Sequence, residues 1–325
     1  MKKTILLIAI LSIALPALCL ERGEVIHKFG FDNDLDGFSA NTGTWLHSGK
    51  NPFSFTSGEF VNRAGGFVII DSEESGGKSL DASISSPAWN ISPGEQLLLE
   101  FDHYFRQAGG EKGIVEVSSN NGMSWTPARE YSGRSFNGHD LVHLNPFIEG
   151  AADKIRVRFR YTDAQNAWFW ALDNVKLTGV KSAQVISEQF VNTSDFNLTK
   201  TLHPAIDLAD GYDCCTIDYE LVVINHDLEV SCFSFDINGK FDFLSGAGEG
   251  YPNSTGYFNK IKSTEKIGPG ISGSVQMLWN DNQYYARGGE TVLTIDITNI
   301  LNTPNAVVSY YLIAKYNQFI LSELK

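Results

Sequence analysis

Short strand-like runs recur along the whole chain, and they constrain its fold more than any other feature. Residues 154–161 alternate strictly, with isoleucine, valine, phenylalanine and tyrosine on one face and lysine or arginine on the other. This alternation is typical of an antiparallel strand with one buried face. Further runs, separated by clusters of Gly, Asn, Asp and Ser, lie at 66–70, 96–101 and 113–117. No long segment has a helical period, so the pattern predicts an all-β protein built of sandwich or jelly-roll domains.

The start of the chain, residues 1–19, has the features of a signal peptide. Two lysines precede an apolar run at 5–18, which is too short to span a bilayer. The residues at Ala17 and Cys19 suit cleavage after Cys19. We therefore expect a secreted protein, extracellular or periplasmic, that is soluble after cleavage and has no membrane span.

The length of the remaining chain predicts two domains. About 305 residues are too many for one small core and suit two domains of ordinary size. Polar residues at 179–187 follow a strand and mark the boundary. We expect a first domain at 25–180 and a second β-sandwich domain, of unknown family, at 188–325.

Two turns are predicted in the second domain. The apolar runs 221–224 and 230–235 flank residues 225–228, which suits a β-hairpin. The dipeptide Asn238-Gly239 marks the next turn.

The charge balance disfavours nucleic acid and favours a hard cation. The formal net charge is −13, and such a surface repels nucleic acid and anionic membranes. It also supplies the carboxylates that calcium prefers. The cysteines that remain after cleavage, Cys214, Cys215 and Cys232, all lie in the second half and allow one disulfide or none. The first half must therefore be held by core packing or by a metal.

Short carboxylates occur at three places that suit an oxygen-liganded cation. Asp32 and Asp34 stand beside a glycine in an acidic loop, which can wrap calcium or form a solvated turn. Asp71 ends an apolar run and Asp81 follows a Gly-rich turn, so the two either share an ion or line a polar loop. Asp173 lies within an apolar strand and needs a metal ion or an arginine, because an unpaired buried carboxylate is costly.

The strand around Asp173 also has a predicted facing. Simple alternation places Trp170, Leu172 and Asn174 on one face, with Asp173 and Val175 on the other.

Residues 118–125 fit the pattern Ser-x-Asp/Asn-x-Gly-x-Ser/Thr-Trp, which is called the Asp-box. Gly122 suits a tight hairpin turn that needs positive φ. Ser118 and Asn120 can bond the turn backbone while Trp125 packs beneath it. The motif is structural and carries no implication for catalysis.

Taken in order, these segments resemble the MAM-like jelly rolls, which include the choice-of-anchor J domains of secreted bacterial proteins and the subdomains of reelin. The resemblance rests on the acidic first turn, the Asp71/Asp81 loop, the Asp-box hairpin, the alternating strand and the Trp-Ala-Leu-Asp-Asn-Val segment. It covers residues 25–180 and implies a jelly-roll fold. It also implies a structural calcium whose ligands would be Asp32 or Asp34, Asp71, Asp81 and Asp173. The paired cysteines of MAM domains are missing here, which favours a microbial protein.

Sequence motifs for catalysis are missing. There is no His-Glu-x-x-His zinc site and no Gly-x-Ser-x-Gly elbow. His139 and His143 are four residues apart on a predicted strand, which separates them by about 13 Å, too far to share one metal. We interpret them as surface histidines.

Exposed aromatic rings beside polar groups are what carbohydrate binding needs. The polar neighbours of Trp279, Tyr284 and Tyr285 indicate a loop, so we expect these three to form a ligand-binding surface. The first domain offers Trp45, Trp89 and Phe105. Core packing is the more common use of such side chains.

We therefore expect a non-catalytic, calcium-stabilised binding or adhesion protein that recognises a glycan or an extracellular protein. One alternative is a secreted polysaccharide hydrolase with its active site at 188–325 and the jelly roll as an accessory domain. Another is a structural subunit of an extracellular layer, which would self-associate in calcium.

Overall fold

A computed structural model describes the chain in separate stretches: residues 23–41, 45–50, 60, 65–75, 79–91, 95–148, 154–181, 183–192, 197–202, 214–227, 236–243, 255–262, 272–277, 291–298 and 307–319. These stretches form β-strands, three short 3₁₀ turns and connecting loops, with no α-helix among them. The prediction of an all-β fold is confirmed. The 3₁₀ turns are Ser48–Lys50, Ser72–Ser75 and Asn145–Phe147.

The first half of the chain forms two six-stranded antiparallel sheets. Its strands are β1 (Glu24–Phe29), β2 (Ser39–Ala40), β3 (Trp45–His47), β4 (Val68–Asp71), β5 (Leu80–Ser85), β6 (Trp89–Asn90), β7 (Gln96–Phe105), β8 (Lys112–Ser118), β9 (Thr126–Tyr131), β10 (Phe136–His143), β11 (Lys154–Ala164) and β12 (Phe169–Val180). Sheet A has the order β10-β7-β12-β4-β3, and β1 also pairs with β12. Sheet B has the order β2-β5-β11-β8-β9, and β6 also pairs with β11.

Alternating side chains of the two sheets build one apolar core between them. In sheet B, every second residue of β11 from Ile155 to Tyr161 is fully buried. In sheet A, Leu99 and Phe101 point into the same core. Full burial of such a side chain contributes about 1.5–3 kcal/mol relative to exposure. The largest fully buried side chains of this core are Trp45, Trp89, Trp170, Tyr131, Tyr161, Phe31, Phe101, Phe105 and Phe159.

A β-bulge in β12 changes the facing that simple alternation predicts. Trp170 and Leu172 face the core, as expected. Asn174 has φ +50°, and the register with β7 shifts between Asp173 and Lys176. An extra residue in one strand reverses the alternation beyond it. The predicted facing of Asn174 and Val175 was therefore wrong, because Val175 faces the core and Asn174 does not.

The second half forms two four-stranded antiparallel sheets. Sheet C has the order β13-β20-β15-β18, and sheet D has the order β14-β19-β16-β17. Their strands are β13 (Ala183–Asn192), β14 (Asn197–Leu202), β15 (Cys214–Asn225), β16 (Asp236–Phe243), β17 (Thr255–Lys262), β18 (Ser272–Met277), β19 (Thr291–Thr298) and β20 (Val307–Phe319).

Both turns predicted in the second half were wrong. Residues 221–224 are bonded on one edge to β18 and on the other to β20, which leaves no edge for a hairpin partner at 230–235. Asn238 and Gly239 lie inside β16, where the register with β17 shifts. The Asn-Gly pair therefore marks a strand irregularity, which is the other common use of glycine within a strand.

The two halves meet across an apolar contact. Leu98, Leu141 and Val180 of the first half pack with residues from β15 and β20. The residues contributed by the second half are Val222, Ile224, Tyr311 and Ile313.

A buried polar network lies at the same junction. The Arg129 guanidinium is 3.4 Å from Asp140, and both side chains have no exposed surface. Arg129 donates to the carbonyl oxygen of Leu141 at 2.8 Å and to the hydroxyl of Tyr311. Tyr311 in turn donates to the Leu141 carbonyl, and Tyr131 donates to Asp140 at 2.6 Å. Through Tyr311, strand β20 of the second half thus contributes to a polar network of the first half.

Candidate functional site

A band of polar side chains crosses the outer face of sheet A. We call Glu100, Asp102, His139, Asp173, Asn174 and Lys176 the polar band. Cross-strand register brings them together, since Asp102 lies opposite His139 on one side and Asp173 on the other. An apolar cluster flanks the band at each end, one containing Leu98 and the other containing Phe169.

Short contacts link the members of the polar band. His139 Nδ1 lies 3.1 Å from Asp102 Oδ1, and its Nε2 lies 3.6 Å from Glu100 Oε2. Lys176 Nζ is 3.1 Å from Glu100 Oε1. The Asn174 amide donates to Asp102 at 2.9 Å and to Asp173 at 3.3 Å. The bulge that turns Asn174 out of the core therefore also lets its amide bridge the two facing aspartates.

Two cations offset the three carboxylates of the band. Burial alone lowers the pKa of His139, but hydrogen bonds and charge interactions with Asp102 and Glu100 outweigh it and raise that pKa to about 9. His139 is therefore a cation at neutral pH. The carboxylates of Glu100, Asp102 and Asp173 are buried, whereas His139 and Lys176 keep 21% and 31% of their side chains exposed. The band presents cationic hydrogen-bond donors to solvent above a layer of acceptors.

The interpretation as a surface histidine holds for the partly exposed His139 and was wrong for His143. His139 belongs to the polar band, and His143 is 7% exposed with its Nε2 2.8 Å from Gln96 Oε1. Burial lowers the pKa of His143 to about 4, so it is neutral at pH 7. The carboxylates of β7 are visible in the sequence, but only the register between β10 and β7 shows that they lie next to His139.

An exposed tryptophan stands at the rim of sheet A, just before β12. Trp168 is 40% exposed, and the Arg106 guanidinium carbon lies 3.7 Å from its ring centroid. The Trp168 carbonyl accepts hydrogen bonds from the Ser72 backbone and hydroxyl, at 3.2 and 3.1 Å, and from the Tyr161 hydroxyl at 3.2 Å. The sequence analysis did not single out Trp168, because the apolar run Trp-Phe-Trp suggested a buried strand.

Of the five carboxylates predicted for calcium, three lie far apart in sequence and in the sheets. Asp71 is opposite Phe169, and Asp173 lies four residues further along β12, which corresponds to about 13 Å. Asp81 is on β5 in sheet B, where the Arg160 guanidinium donates to its two oxygens at 2.7 and 2.6 Å. That hydrogen bonding holds the pKa of Asp81 below its usual value. These three carboxylates do not converge on one ion.

The acidic loop after β1 has its own hydrogen bonding. Asp36 accepts from the backbone amides of Gly30 and Phe31 at 3.0 and 2.7 Å. Asp34 accepts from the Asp36 amide at 2.7 Å. Asp36, which was not among the predicted residues, is thus the carboxylate that shapes this loop.

Oxygens from the same loop surround two glycines that precede β4. A methyl group on Gly65 would collide with Asp32 Oδ1, and one on Gly66 would collide with the carbonyl of Phe31 and come within 2.9 Å of the Asp32 carbonyl. Hard cations bind to such mixtures of carboxylate and carbonyl oxygens. Within the described stretches, no group of three or more His, Cys, Asp or Glu side chains is placed to share a metal ion. The Asp32 loop therefore fits calcium only with backbone oxygens as further ligands.

The Asp-box segment forms a closed turn between β8 and β9. The Ser118 hydroxyl accepts from the Gly122 amide at 2.8 Å, and Asn120 Oδ1 accepts from the Ser124 amide at 2.9 Å. Gly122 has φ +93°. The Arg158 guanidinium carbon lies 4.5 Å from the Trp125 ring centroid, so the indole packs beside the turn rather than standing free.

The aromatic candidates have different outcomes. Trp45, Trp89 and Phe105 are buried in the core between the two sheets, with at most 1% exposure, and cannot stack on a ligand. Trp279, Tyr284 and Tyr285 lie outside the described residues, as do residues 1–19 and Cys232.

No family model matches the chain, and no curated protein matches it. Solved structures with similar folds include the K1 cleaved adhesin domain of Lys-gingipain from Porphyromonas gingivalis W83, at 18% identity over 47% of this chain and 96% of that one, with a TM-score of 0.34. Others are the CBM22-1-CBM22-2 tandem domain of Paenibacillus barcinonensis Xyn10C, at 8% identity, 92% and 98% coverage and TM-score 0.34, and PNGase F of Flavobacterium meningosepticum, at 10% identity, 73% and 89% coverage and TM-score 0.31.

In the part of the chain that the structure describes, there is no helix with the length and apolarity that a membrane crossing requires.

Proposed function

We propose that this chain is a secreted, non-catalytic binding or adhesion protein whose ligand is a glycan or a cell-surface protein. The observation that carries the proposal is the polar band on the outer face of sheet A. Its partly exposed donors, His139 and Lys176, are held in place by buried carboxylates. A rigid set of donors and acceptors on a sheet face suits the recognition of hydroxyl groups or of polar protein side chains.

The charge pairing within the band favours binding over hydrolysis. A glycosidase needs one carboxyl group that holds a proton and one that does not. Glu100 lies between His139 and Lys176, and Asp102 lies against His139. Both carboxylates are held by side chains of the band, so they serve as fixed acceptors within it rather than as an acid and a nucleophile that flank a substrate.

Calcium stabilisation is part of the proposal and is centred on the loop around Asp32. The support is the cradle of Asp32 carboxylate and main-chain oxygens against Gly65 and Gly66. Asp81 is the weakest member of the predicted set, because Arg160 already binds both of its oxygens.

The test is binding of the full chain to a panel of immobilised glycans and polysaccharides and to an extracellular-matrix protein, in calcium and in EDTA. We expect retention on a defined subset of probes. Lys176→Gln should weaken that retention about tenfold, the change expected from losing one charged hydrogen bond. Lys112→Gln is the matched control, since Lys112 is a partly exposed lysine paired with Glu130 on sheet B.

Each outcome has a distinct meaning. If Lys176→Gln binds the probes as well as the parent does, the ligand binds at a surface other than the polar band. Absence of binding to every probe would refute the proposed function. Release of reducing sugar from a bound polysaccharide would contradict the non-catalytic assignment.

A further inference from the structure

The surroundings of Trp168 differ from those of the other tryptophans that the structure describes. Trp45, Trp89 and Trp170 are at most 1% exposed, and Trp125 is half-buried. Trp168 leaves 40% of its surface in water. Each buried square ångström of apolar surface contributes about 25 cal/mol, so a large ring left exposed forgoes stabilisation that the fold obtains from its other indoles.

The backbone that presents Trp168 is held from behind. Ser72 is fully buried, and its hydroxyl donates to the carbonyls of Ala167 and Trp168. Together with the Tyr161 hydroxyl and the Ser72 amide, this gives the Trp168 carbonyl three donors. Few residues link β11 to β12, and Asp163 and Asn166 near this turn have positive φ values of 59° and 48°. Asp and Asn are the non-glycine residues that adopt this left-handed conformation most readily, so the connection can turn tightly.

Arg106 fixes the ring as well as the backbone. Its guanidinium lies 3.7 Å from the indole centroid, within the range of a cation–π contact. The Arg106 amide donates to the Phe169 carbonyl at 3.0 Å, which ties this arginine to the same edge of sheet A. The indole therefore keeps one orientation without being buried, which lowers the entropy lost when a ligand stacks on it.

Among the described residues, Trp168 stands apart from other exposed apolar side chains, and this indicates the kind of ligand. The other large hydrophobic side chains exposed in the described residues are Val25 and Met123. Val25 pairs with Thr178, which lies ten residues along β12 from Trp168, a distance of about 33 Å. Met123 is at the Asp-box turn, whose strand pairs with the opposite end of β11. A protein interface needs a cluster of apolar anchors over about 1,000 Å² or more.

A sugar ring needs less surface than a protein. One aromatic face takes the apolar side of the ring, and a few polar groups nearby bond its hydroxyls. Two residues shortly before Trp168, Gln165 and Asn166, are polar and exposed, and such side chains can bond sugar hydroxyls.

We propose that Trp168 is the stacking platform of a saccharide-binding subsite at the rim of sheet A, with Arg106 as its positioning residue. This assignment rests on the proposed function and deepens it by committing to a glycan. The polar band would then contact a neighbouring part of the same ligand, since Phe169 follows Trp168 directly and borders the band.

The experiment is affinity electrophoresis of the full chain in native gels that each contain one soluble polysaccharide. The gels hold xylan, galactomannan, a mixed-linkage β-glucan or polygalacturonate, so that neutral and acidic sugars are compared. Trp168→Ala should lower the affinity about tenfold or more, and Trp168→Phe should retain part of it, because a smaller ring still stacks. Met123→Ala is the matched control, since Met123 is 83% exposed and lies at the other end of the sandwich. Arg106→Ala should weaken binding, and Arg106→Lys should restore part of it.

A second readout follows the indole directly. Sugar that stacks on Trp168 should shift the intrinsic fluorescence of the parent protein to the blue, and the shift should disappear in Trp168→Phe. Near-ultraviolet circular dichroism checks that each variant is folded.

The results separate this subsite from the proposed function. If the parent binds a polysaccharide and Trp168→Ala binds it equally, the subsite is refuted and the proposed function stands. If no polysaccharide retards the parent but immobilised fibronectin captures it in a Trp168-dependent manner, Trp168 is a protein anchor and the sugar assignment is wrong. If neither the polysaccharides nor fibronectin bind the parent, both the glycan assignment and the proposed subsite are refuted.

Discussion

The buried ion pair at the junction of the two halves permits a quantitative test with Arg129→Leu. Arg129 and Asp140 have no exposed side-chain surface and lie 3.4 Å apart. Leucine fills part of the space but leaves the Asp140 carboxylate buried without its cation. It also removes the donor to the Leu141 carbonyl and to Tyr311.

The expected loss in the free energy of unfolding is about 3–5 kcal/mol, the usual cost of removing one partner of a buried pair. A large part of that cost is the buried charge of Asp140. The double variant Arg129→Leu, Asp140→Asn removes it and should recover about 1–2 kcal/mol. Recovery is incomplete because Asp140 also accepts from Tyr131 and from the Leu141 amide, at 2.6 and 2.7 Å.

The destabilisation should depend on pH in a defined direction. In the parent, burial is the largest influence and raises the pKa of Asp140, but Arg129, together with smaller contributions from His226, His103 and the Tyr131 hydrogen bond, outweighs it and holds the pKa below its usual value. Its contribution is therefore present above the unfolded pKa of about 3.8 and is lost only as pH falls through the lower folded value. Without Arg129, burial dominates and raises the pKa of the folded carboxyl above its usual value, so its ionisation as pH rises destabilises the variant. The variant should then be closer to the parent at pH 5 than at pH 7.

The assay is urea unfolding of the parent, the single variant and the double variant at both pH values, with the urea midpoint and slope compared. Equal destabilisation of the single and double variants, or a pH-independent difference from the parent, would show that the charge of Asp140 does not govern this junction. A change in slope would indicate instead that one half unfolds separately.

Three further perturbations test other parts of the structure. His139→Gln should lower the free energy of unfolding by up to about 3 kcal/mol at pH 7. The pKa of His139, raised from 6.5 to about 9, stabilises the fold below pH 6.5, and this stabilisation is lost as pH rises through 9. In urea unfolding, the stabilities of the variant and the parent should therefore converge above pH 9, which checks the sign. Calcium at 100 times its dissociation constant should stabilise the parent by about 2.7 kcal/mol. In thermal unfolding, Asp32→Ala should remove this response and Asp81→Ala should keep it. The reverse result would place the ion away from Asp32. Gly122→Ala should lower the free energy of unfolding by about 1 kcal/mol, because φ is +93° and the added methyl group would lie 3.2 Å from Arg156. An unchanged urea midpoint would mean that the turn adapts to the methyl group without cost.

Features that depend on neighbouring residues could be predicted from the sequence. The alternation at 154–161 corresponds to β11, whose apolar residues all face the core. The Asp-box pattern contains within eight residues the donors and acceptors that close its turn. Local hydrogen bonding and a strand period need no knowledge of which strands pair.

Features that depend on register could not be predicted. The partner of Asp81 is Arg160, 79 residues further along the chain. His139 becomes a cation because β10 pairs with β7 in a register that puts Asp102 opposite it. The single extra residue at Asn174 moves Val175 into the core, and no local signal in the sequence marks that bulge. Asn-Gly at 238–239 suits a turn and a strand irregularity equally, and tertiary pairing decides between them.

The contact between Tyr311 and the Leu141 carbonyl has a consequence for synthesis. The first half emerges from the ribosome before β15 and β20, yet its apolar patch at Leu98, Leu141 and Val180 is covered by residues of those two strands. Translation of the roughly 130 residues between Val180 and Tyr311 takes on the order of 10 s at typical rates. During that interval the apolar patch and the Arg129–Asp140 ion pair are in contact with solvent. A chaperone that binds this patch would distinguish chains that lack β20 from chains in which β20 is in place, and a chain truncated before β20 would leave the patch exposed.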